Sequence, residues 1–529
     1  MAPIAFFAVF FAWPVATLVG RGFWGEDGFT GQAVVEVLSS ARTWRIIGQT
    51  LGQAAAATVL AVLLGIPGAC LLYRRKWPGR RLVRAFVAVP FVLPSVVVGV
   101  AFRSLLSGPL EFLDGTFWAV LAALVFFNYS VVVRTVGALW ARLDTRAQDA
   151  ARTLGATGRR VFWTVTLPAL APAVAAGAAL TFLFCATAFG VVLVLGQTRY
   201  GTVETEIYFQ AVTLLDLPAA AGLSIVQLAI VAAALLIANR ARARSERALR
   251  LRGDAAEQPL TGRDWPQVVV TAGVVVGLLA APLGSLLWRS VAVGDGFGLG
   301  NYARLGEAVP GLAVTVWDAV GNSLLTALLA TAIALFLGAQ VSYVLSRRPA
   351  SALGRRALGA LDAAFMLPLG VSAVTVGFGF LITLNRPPLD LRTSWVLVPI
   401  AQALVALPLV VRTLLPTWRA IDPRWRQAAA TLGAGPGRVL ATIDAPYLLR
   451  GLGLAVGFAF ATSLGEFGAT SFLARPDRPT LPVVVYRLLS RPDNFGLAMA
   501  ACVVLTVLTA AVMAAGELVG PPNRAGALS

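Results

Sequence analysis

Long apolar runs, each closed by a short polar or arginine-bearing stretch, set the rhythm of this 529-residue chain. Runs of about 18 or more mostly apolar residues are long enough to cross roughly 30 Å of hydrocarbon as a helix. They predict about twelve transmembrane helices, near 3–20, 47–73, 86–107, 117–139, 167–195, 217–238, 267–288, 323–345, 358–384, 395–416, 446–474 and 494–516. No soluble core of this length absorbs so much apolar surface, so the expected fold class is all-α integral membrane. The first run lacks a basic leader and a cleavage site, and reads as a retained anchor.

The polar interruptions repeat. Asp149-Ala150-Ala151-Arg152-Thr153-Leu154-Gly155, running on to Leu167-Pro168, returns 278 positions later as Gln427-Ala428-Ala429-Ala430-Thr431-Leu432-Gly433, running on to Ala445-Pro446. At the same offset Arg134-Thr135 matches Arg412-Thr413, Trp140 matches Trp418, Phe189-Gly190 matches Phe467-Gly468 and Tyr208 matches Tyr486, while Arg74-Arg75 matches Arg347-Arg348 with a small shift. A match at one period over this length indicates duplication. The expected organisation is a six-span half over 1–239, a polar linker over 240–265 and a second six-span half over 266–529. Six is even, so the repeats run parallel and both polar blocks face the same side, with a solute pathway along the pseudo-two-fold axis. Gly48-xxx-Gly52, Gly273-xxx-Gly277 and Gly453-xxx-Gly457 offer small faces for close helix contact.

Composition sharpens this picture. The chain is 58% hydrophobic and 13% charged, with a formal charge of +18. With the N-terminus in the cytoplasm, 27 of the 43 Lys and Arg residues fall in inward loops or the tail. That asymmetry is the positive-inside rule, so the charge reports orientation, with both termini cytoplasmic, and not a nucleic-acid partner. Cys70, Cys185 and Cys502 lie far apart in apolar runs and read as small hydrophobes, so no metal or cofactor site is expected. There is no histidine, and the single lysine, Lys76, follows Arg75 instead of the glycine of a phosphate-binding loop. Catalysis within the chain is therefore not expected, and any ATP hydrolysis belongs to a partner.

In each repeated block the alanines favour a short helix with a thin face, Gly155 or Gly433 supplies a left-handed turn to end it, and Pro168 or Pro446 suits the opening of the following span. A plain interfacial turn would need no second copy. The pattern resembles the EAA loop of ATP-binding-cassette (ABC) importer permeases, read here as Asp149-Ala150-Ala151, Gly155, Val165, Leu167-Pro168 and Gln427-Ala428-Ala429, Gly433, Ile443, Ala445-Pro446. Asp149, Gln427 and Ala445 depart from the family's Glu, Glu and Leu. The resemblance implies a type I importer permease fold in the bacterial inner membrane. It also implies that both blocks are coupling helices docking into a pair of ATPase subunits, taken as a homodimer, and that an extracytoplasmic solute-binding protein is a further partner. Fusion of two halves, with Thr202-Val203-Glu204-Thr205-Glu206-Ile207-Tyr208, Leu464-Gly465-Glu466-Phe467-Gly468 and Thr480-Leu481-Pro482, resembles thiamine importers, with iron(III) importers as the alternative. A major-facilitator secondary transporter also has twelve spans and parallel halves, but the spans are nearly bare of the ionisable groups that ion coupling needs.

Glu466 is an acidic residue placed inside a span, and its first-half counterpart is Ala188. It either lines the pathway, favouring a cation, or sits near an outer helix end, capped by solvent or paired with Arg475 or Arg487. Tyr208 and Tyr486 are candidates for gate or docking contacts, in outward loops 196–218 and 475–494 that offer a platform for a binding protein.

Overall fold

The computed structural model describes residues 1–25, 28–29, 31–108, 110–197, 199–245, 258–294, 296–347, 349, 351–387, 389–391 and 394–519. Arg348 and residues 246–257 of the expected linker lie outside the described residues. In the first half the helices are α1 (Ala2–Phe23), α2 (Ala41–Tyr73), α3 (Arg80–Phe91), α4 (Ser95–Leu106), α5 (Phe117–Arg142), α6 (Arg146–Thr153), α7 (Gly158–Ala186), α8 (Val203–Tyr208) and α9 (Leu217–Ile237). The second half has α10 (Gly262–Val291), α11 (Val316–Leu345), α12 (Ala352–Pro368), α13 (Ala373–Thr383), α14 (Leu397–Arg419), α15 (Pro423–Thr431), α16 (Pro436–Leu449), α17 (Gly451–Leu464), α18 (Thr470–Leu473) and α19 (Phe495–Gly516).

Nine of these are straight enough, long enough and apolar enough to cross a membrane, and three bent pairs bring the total to twelve. Prolines account for much of the departure from simple spans. The expected span 86–107 is α3 and α4 set at 107°, broken between Pro90 and Pro94, and the expected span 358–384 is α12 and α13 set at 90°, broken after Pro368. Proline removes a helical N–H and clashes with the carbonyl four residues back. At four prolines the helix widens first: π-turns at Ala8–Ala12, Phe162–Thr166, Val274–Ala280 and Leu440–Asp444 immediately precede Trp13-Pro14, Leu167-Pro168, Ala281-Pro282 and Ala445-Pro446, whereas Pro67, Pro172, Pro408 and Pro416 sit inside helices without such a turn. Pro168 and Pro446 thus lie inside continuous helices that begin at Gly158 and Pro436, and do not open the spans.

In each half three helices make the central bundle, α2, α5 and α7 in the first and α11, α14 and α17 in the second. Close approach uses repeat-matched glycines that the small-residue spacing did not single out. A Cβ on Gly65 would stand 2.6 Å from Val132, and one on Gly338 would stand 2.6 Å from Val410. Gly48, Gly52, Gly273 and Gly277 meet nothing within 4 Å, whereas Gly453 and Gly457 do meet Gly516 of α19. Glycine spacing alone carries no information about which helix face turns to lipid.

The two halves interlock. α1 packs on α13 of the second half, where Pro14 lies against Gly379, Phe7 against Phe365 at 5.2 Å and Phe10 against Phe380 at 6.1 Å. In return α10 packs on α2 and α4 of the first half, with Ser285 and Ser104 hydroxyls 2.8 Å apart. One buried apolar core consequently runs through both halves, from Leu18 and Val96 to Phe378 and Met499.

Candidate functional site

The two polar blocks fold alike. α6 and α15 each end in a glycine with positive φ, +82° at Gly155 and +81° at Gly433, a conformation that costs other residues about 1–2 kcal/mol. Gly155 N donates to Arg152 O at 2.9 Å and Ala156 N to Ala151 O at 3.0 Å; Gly433 N donates to Ala430 O at 3.0 Å and Ala434 N to Ala429 O at 2.9 Å. This double closure satisfies the last carbonyls of each helix and turns the chain sharply back. Asp149, Ala150, Gln427, Ala428, Gly155 and Gly433 are exposed, Ala151, Ala429, Leu167, Pro168 and Ile443 are half-buried, and Pro446 is exposed.

The turn thrusts one leucine outward in each copy. Leu154 and Leu432 are both 88% exposed, among the most exposed large apolar side chains described. They lie within the repeated block, and only the three-dimensional turn distinguishes them from core leucines. Two features break the symmetry. Asp149 pairs with Arg152 on the surface at 3.2 Å, a pair that Gln427 and Ala430 cannot form. Arg426 pairs with buried Asp444 at 2.7 Å, tying α15 to the π-turn ahead of Pro446, where the repeat mates are the neutral Gln148 and Thr166.

A cavity of about 1190 Å³ lies between the halves, lined from both by repeat mates such as Arg134 and Arg412, Thr135 and Thr413, and Phe189 and Phe467. Arg134 and Arg412 lie toward the ends of α5 and α14 that lead into the polar blocks. The rings of Phe189 and Phe467, both in its lining, stack on each other at 5.5 Å and 19°, one from each half. Tyr208 packs on Phe189 at 5.4 Å and Tyr486 on Phe467 at 5.5 Å. The two tyrosines therefore back the phenylalanines and do not themselves line the cavity.

The segments expected as outward loops each contain a short helix packed into the protein. α8 and the helix Leu481–Leu489 are largely buried, and each is held at its first N–H by a hydroxyl of its half's second span: Val203 N donates to Thr50 Oγ1 at 3.0 Å and Leu481 N to Ser323 Oγ at 2.7 Å. Glu204, within the expected outward loop 196–218, is fully buried and bridges the halves. Its carboxylate accepts from Gln227 Nε2 at 2.7 Å and from Ser372 Oγ at 2.7 Å, at the bend between α12 and α13. Ser372 and Gln227 carried no sequence signal, because their repeat mates differ.

Glu466 lines the cavity but makes neither expected pairing. It lies in the break between α17 and α18, not within a helix. It is buried, accepting from Ala469 N at 2.7 Å, from Thr470 N at 3.0 Å and from the Thr470 hydroxyl. Its charge is taken up by local donors that hold the α18 turn against Phe467. Among the described residues no cluster of His, Cys, Asp and Glu is arranged to hold a metal ion.

Residues 57–251 match the family model described as binding-protein-dependent transport system inner membrane component. The chain is 28% identical over 496 residues to a thiamine transport system permease protein of Brucella abortus, covering 89% of this chain and 86% of that one. It is 26% identical over 495 residues to a putative ferric transport system permease protein of Haemophilus influenzae, covering 88% and 76%. A molybdenum transport system permease protein of Escherichia coli matches 36% of this chain at 33% identity, over 88% of its own length.

Proposed function

The chain belongs to the binding-protein-dependent inner membrane components, the permease subunits of ABC importers, and on that premise we propose that it carries thiamine or a thiamine phosphate inward through the cavity between its halves. As a multi-pass inner-membrane transport subunit of this family, it leaves no place for the secondary-transporter alternative. In this reading the blocks of Asp149, Ala150, Ala151, Gly155, Leu167 and Pro168, and of Gln427, Ala428, Ala429, Gly433, Ile443 and Pro446, couple to two identical ATPase subunits in the cytoplasm. Both termini lie on that side, with lipid around the spans and an extracytoplasmic binding protein opposite.

The observation that carries the coupling role is the matched pair of exposed helices. Each is capped by a left-handed glycine and presents a leucine that stands 88% exposed among the described residues. A short thin helix with one protruding apolar side chain fits a cleft on another protein, and two copies fit a two-fold partner. The stacked Phe189 and Phe467, backed by Tyr208 and Tyr486, act as the gate, and Glu466 supports it by holding the α18 turn.

Thiamine is supported by the long match to the Brucella abortus permease, while the Haemophilus influenzae match keeps iron(III) as the second reading. Uptake of labelled thiamine and of iron(III) into vesicles holding the chain, its ATPase and the neighbouring binding protein separates the two. Thiamine uptake that stops with vanadate but survives collapse of the proton gradient is the expected result. Iron(III) uptake without thiamine uptake overturns the substrate, and vanadate-resistant uptake overturns the coupling.

A further inference from the structure

The cavity between the halves has an unbalanced lining. Its charged side chains are Arg84, Arg134, Arg412 and Glu466, and Glu466 is already engaged by the N–H groups of Ala469 and Thr470. Among the described residues none of the three arginines has a carboxylate partner. Two are steadied on aromatic faces, Arg84 over Tyr73 at 3.9 Å and Arg134 over Phe91 at 5.9 Å. Such contacts orient a guanidinium without neutralising it.

Orientation in the membrane does not explain these arginines. The positive-inside rule concerns loops, whereas Arg134 stands eight residues before the end of α5 and Arg412 seven before the end of α14, about 10–12 Å into their helices. An arginine at that depth is costly unless it faces water or a partner. Both are exposed, and both line the cavity. They are repeat mates on α5 and α14, both lining the same cavity, and each is followed by a lining threonine, Thr135 and Thr413. Forks of N–H donors with adjacent hydroxyls suit the oxygens of a phosphate.

We infer that Arg134 and Arg412, with Arg84 nearby, form an anion site that binds the phosphate end of a phosphorylated solute on its way through the cavity. This rests on the reading of the cavity as the pathway and narrows the cargo to its anionic form, the opposite of what a free Glu466 would select. Aromatic side chains such as Tyr73 and Phe91 offer ring faces to the remainder of such a solute.

The test uses the full-length chain, without its ATPase, in phosphatidylcholine nanodiscs titrated calorimetrically with thiamine, thiamine diphosphate and inorganic pyrophosphate. Both anions are expected to bind more tightly than thiamine. Arg134→Gln and Arg412→Gln should each weaken the anions by about tenfold, the worth of one charge-assisted hydrogen bond, and leave thiamine unchanged. Arg134→Lys and Arg412→Lys, which keep the charge and guard against misfolding, should recover part of the loss. Anions that bind no better than thiamine, or glutamine variants that bind them as the native chain does, overturn the site. Arginine-dependent pyrophosphate binding with no gain for thiamine diphosphate keeps the anion site and removes thiamine as cargo; thiamine binding tighter than that of either anion, with the anions indifferent to the arginines, does the reverse. Repeating the titration with phosphatidylglycerol in the nanodisc should change little, and abolished anion binding there would assign the site to a lipid headgroup instead.

Discussion

Truncating the two protruding leucines separates docking from folding. Leu154 and Leu432 are each 88% exposed, so Leu154→Ala or Leu432→Ala removes almost no contact from the chain itself. The change takes away three carbons whose burial in a partner's cleft is worth about 0.8 kcal/mol each, or about 2 kcal/mol after the alanine methyl has found some contact. At 1.4 kcal/mol per decade that is a roughly 30-fold weaker site. The measurement is the affinity of the purified ATPase for the permease in nanodiscs, alongside the permease's own melting temperature. Each single variant should lose about 30-fold, the double variant close to the product, since the two leucines sit on separate halves, and melting should hold to within surface-substitution scatter of about 0.5 kcal/mol. The two losses need not match, because the Asp149–Arg152 pair stiffens only the first helix. Unchanged affinity in both variants, or a drop in melting that tracks the loss of affinity, refutes the argument.

Three further outcomes follow from buried contacts. Asp444→Ala strands the Arg426 charge and should cost about 3 kcal/mol or more, while Arg426→Gln with Asp444→Thr, copying Gln148 and Thr166, should recover most of it; thermal unfolding checks both, and a native-like Asp444→Ala sinks the idea. Glu204→Ala removes one acceptor from each of two buried groups, leaving the Gln227 amide only Ala186 O and the Ser372 hydroxyl only Thr375 Oγ1, and should cost about 1–3 kcal/mol in all, whereas Glu204→Gln keeps the shape and should melt near the native temperature. If the alanine variant is as stable as the native chain, the bridge between halves has no weight. Phe189→Ala with Phe467→Ala removes the stacked rings from the cavity lining, so liposomes holding the double variant should lose a trapped small solute faster than native ones; equal efflux would mean that the rings are not the barrier.

Much of this architecture was legible in the chain. Helices are local, and their apolar length must match the bilayer, so nearly every expected span has a helical counterpart. Duplication is written in residue identity, and it located the two polar blocks, the Phe189 and Phe467 pair and the Arg134 and Arg412 pair. What the sequence withheld was direction and partnership. A hydropathy run does not record a bend: the prolines interrupt the helices, but the 107° and 90° angles at Pro94 and Ser372, and the packing of helices of the other half on α4 and α13, are read only from the fold. Nor does linear order reveal that α1 and α10 each cross to the opposite half.

The same limit governs the charges. By position Glu204 belongs to an outward loop and Glu466 to a span. Tertiary packing buries the first as a bridge between halves and spends the second on neighbouring backbone amides, which leaves arginines to set the sign of the cavity. The chain by itself determined the membrane class, the duplication and the paired blocks, because these depend on hydrophobic length and on repeated identity. Only the tertiary structure decided which side chains meet across the pseudo-two-fold axis, because a buried polar group takes its partners from elements hundreds of residues away.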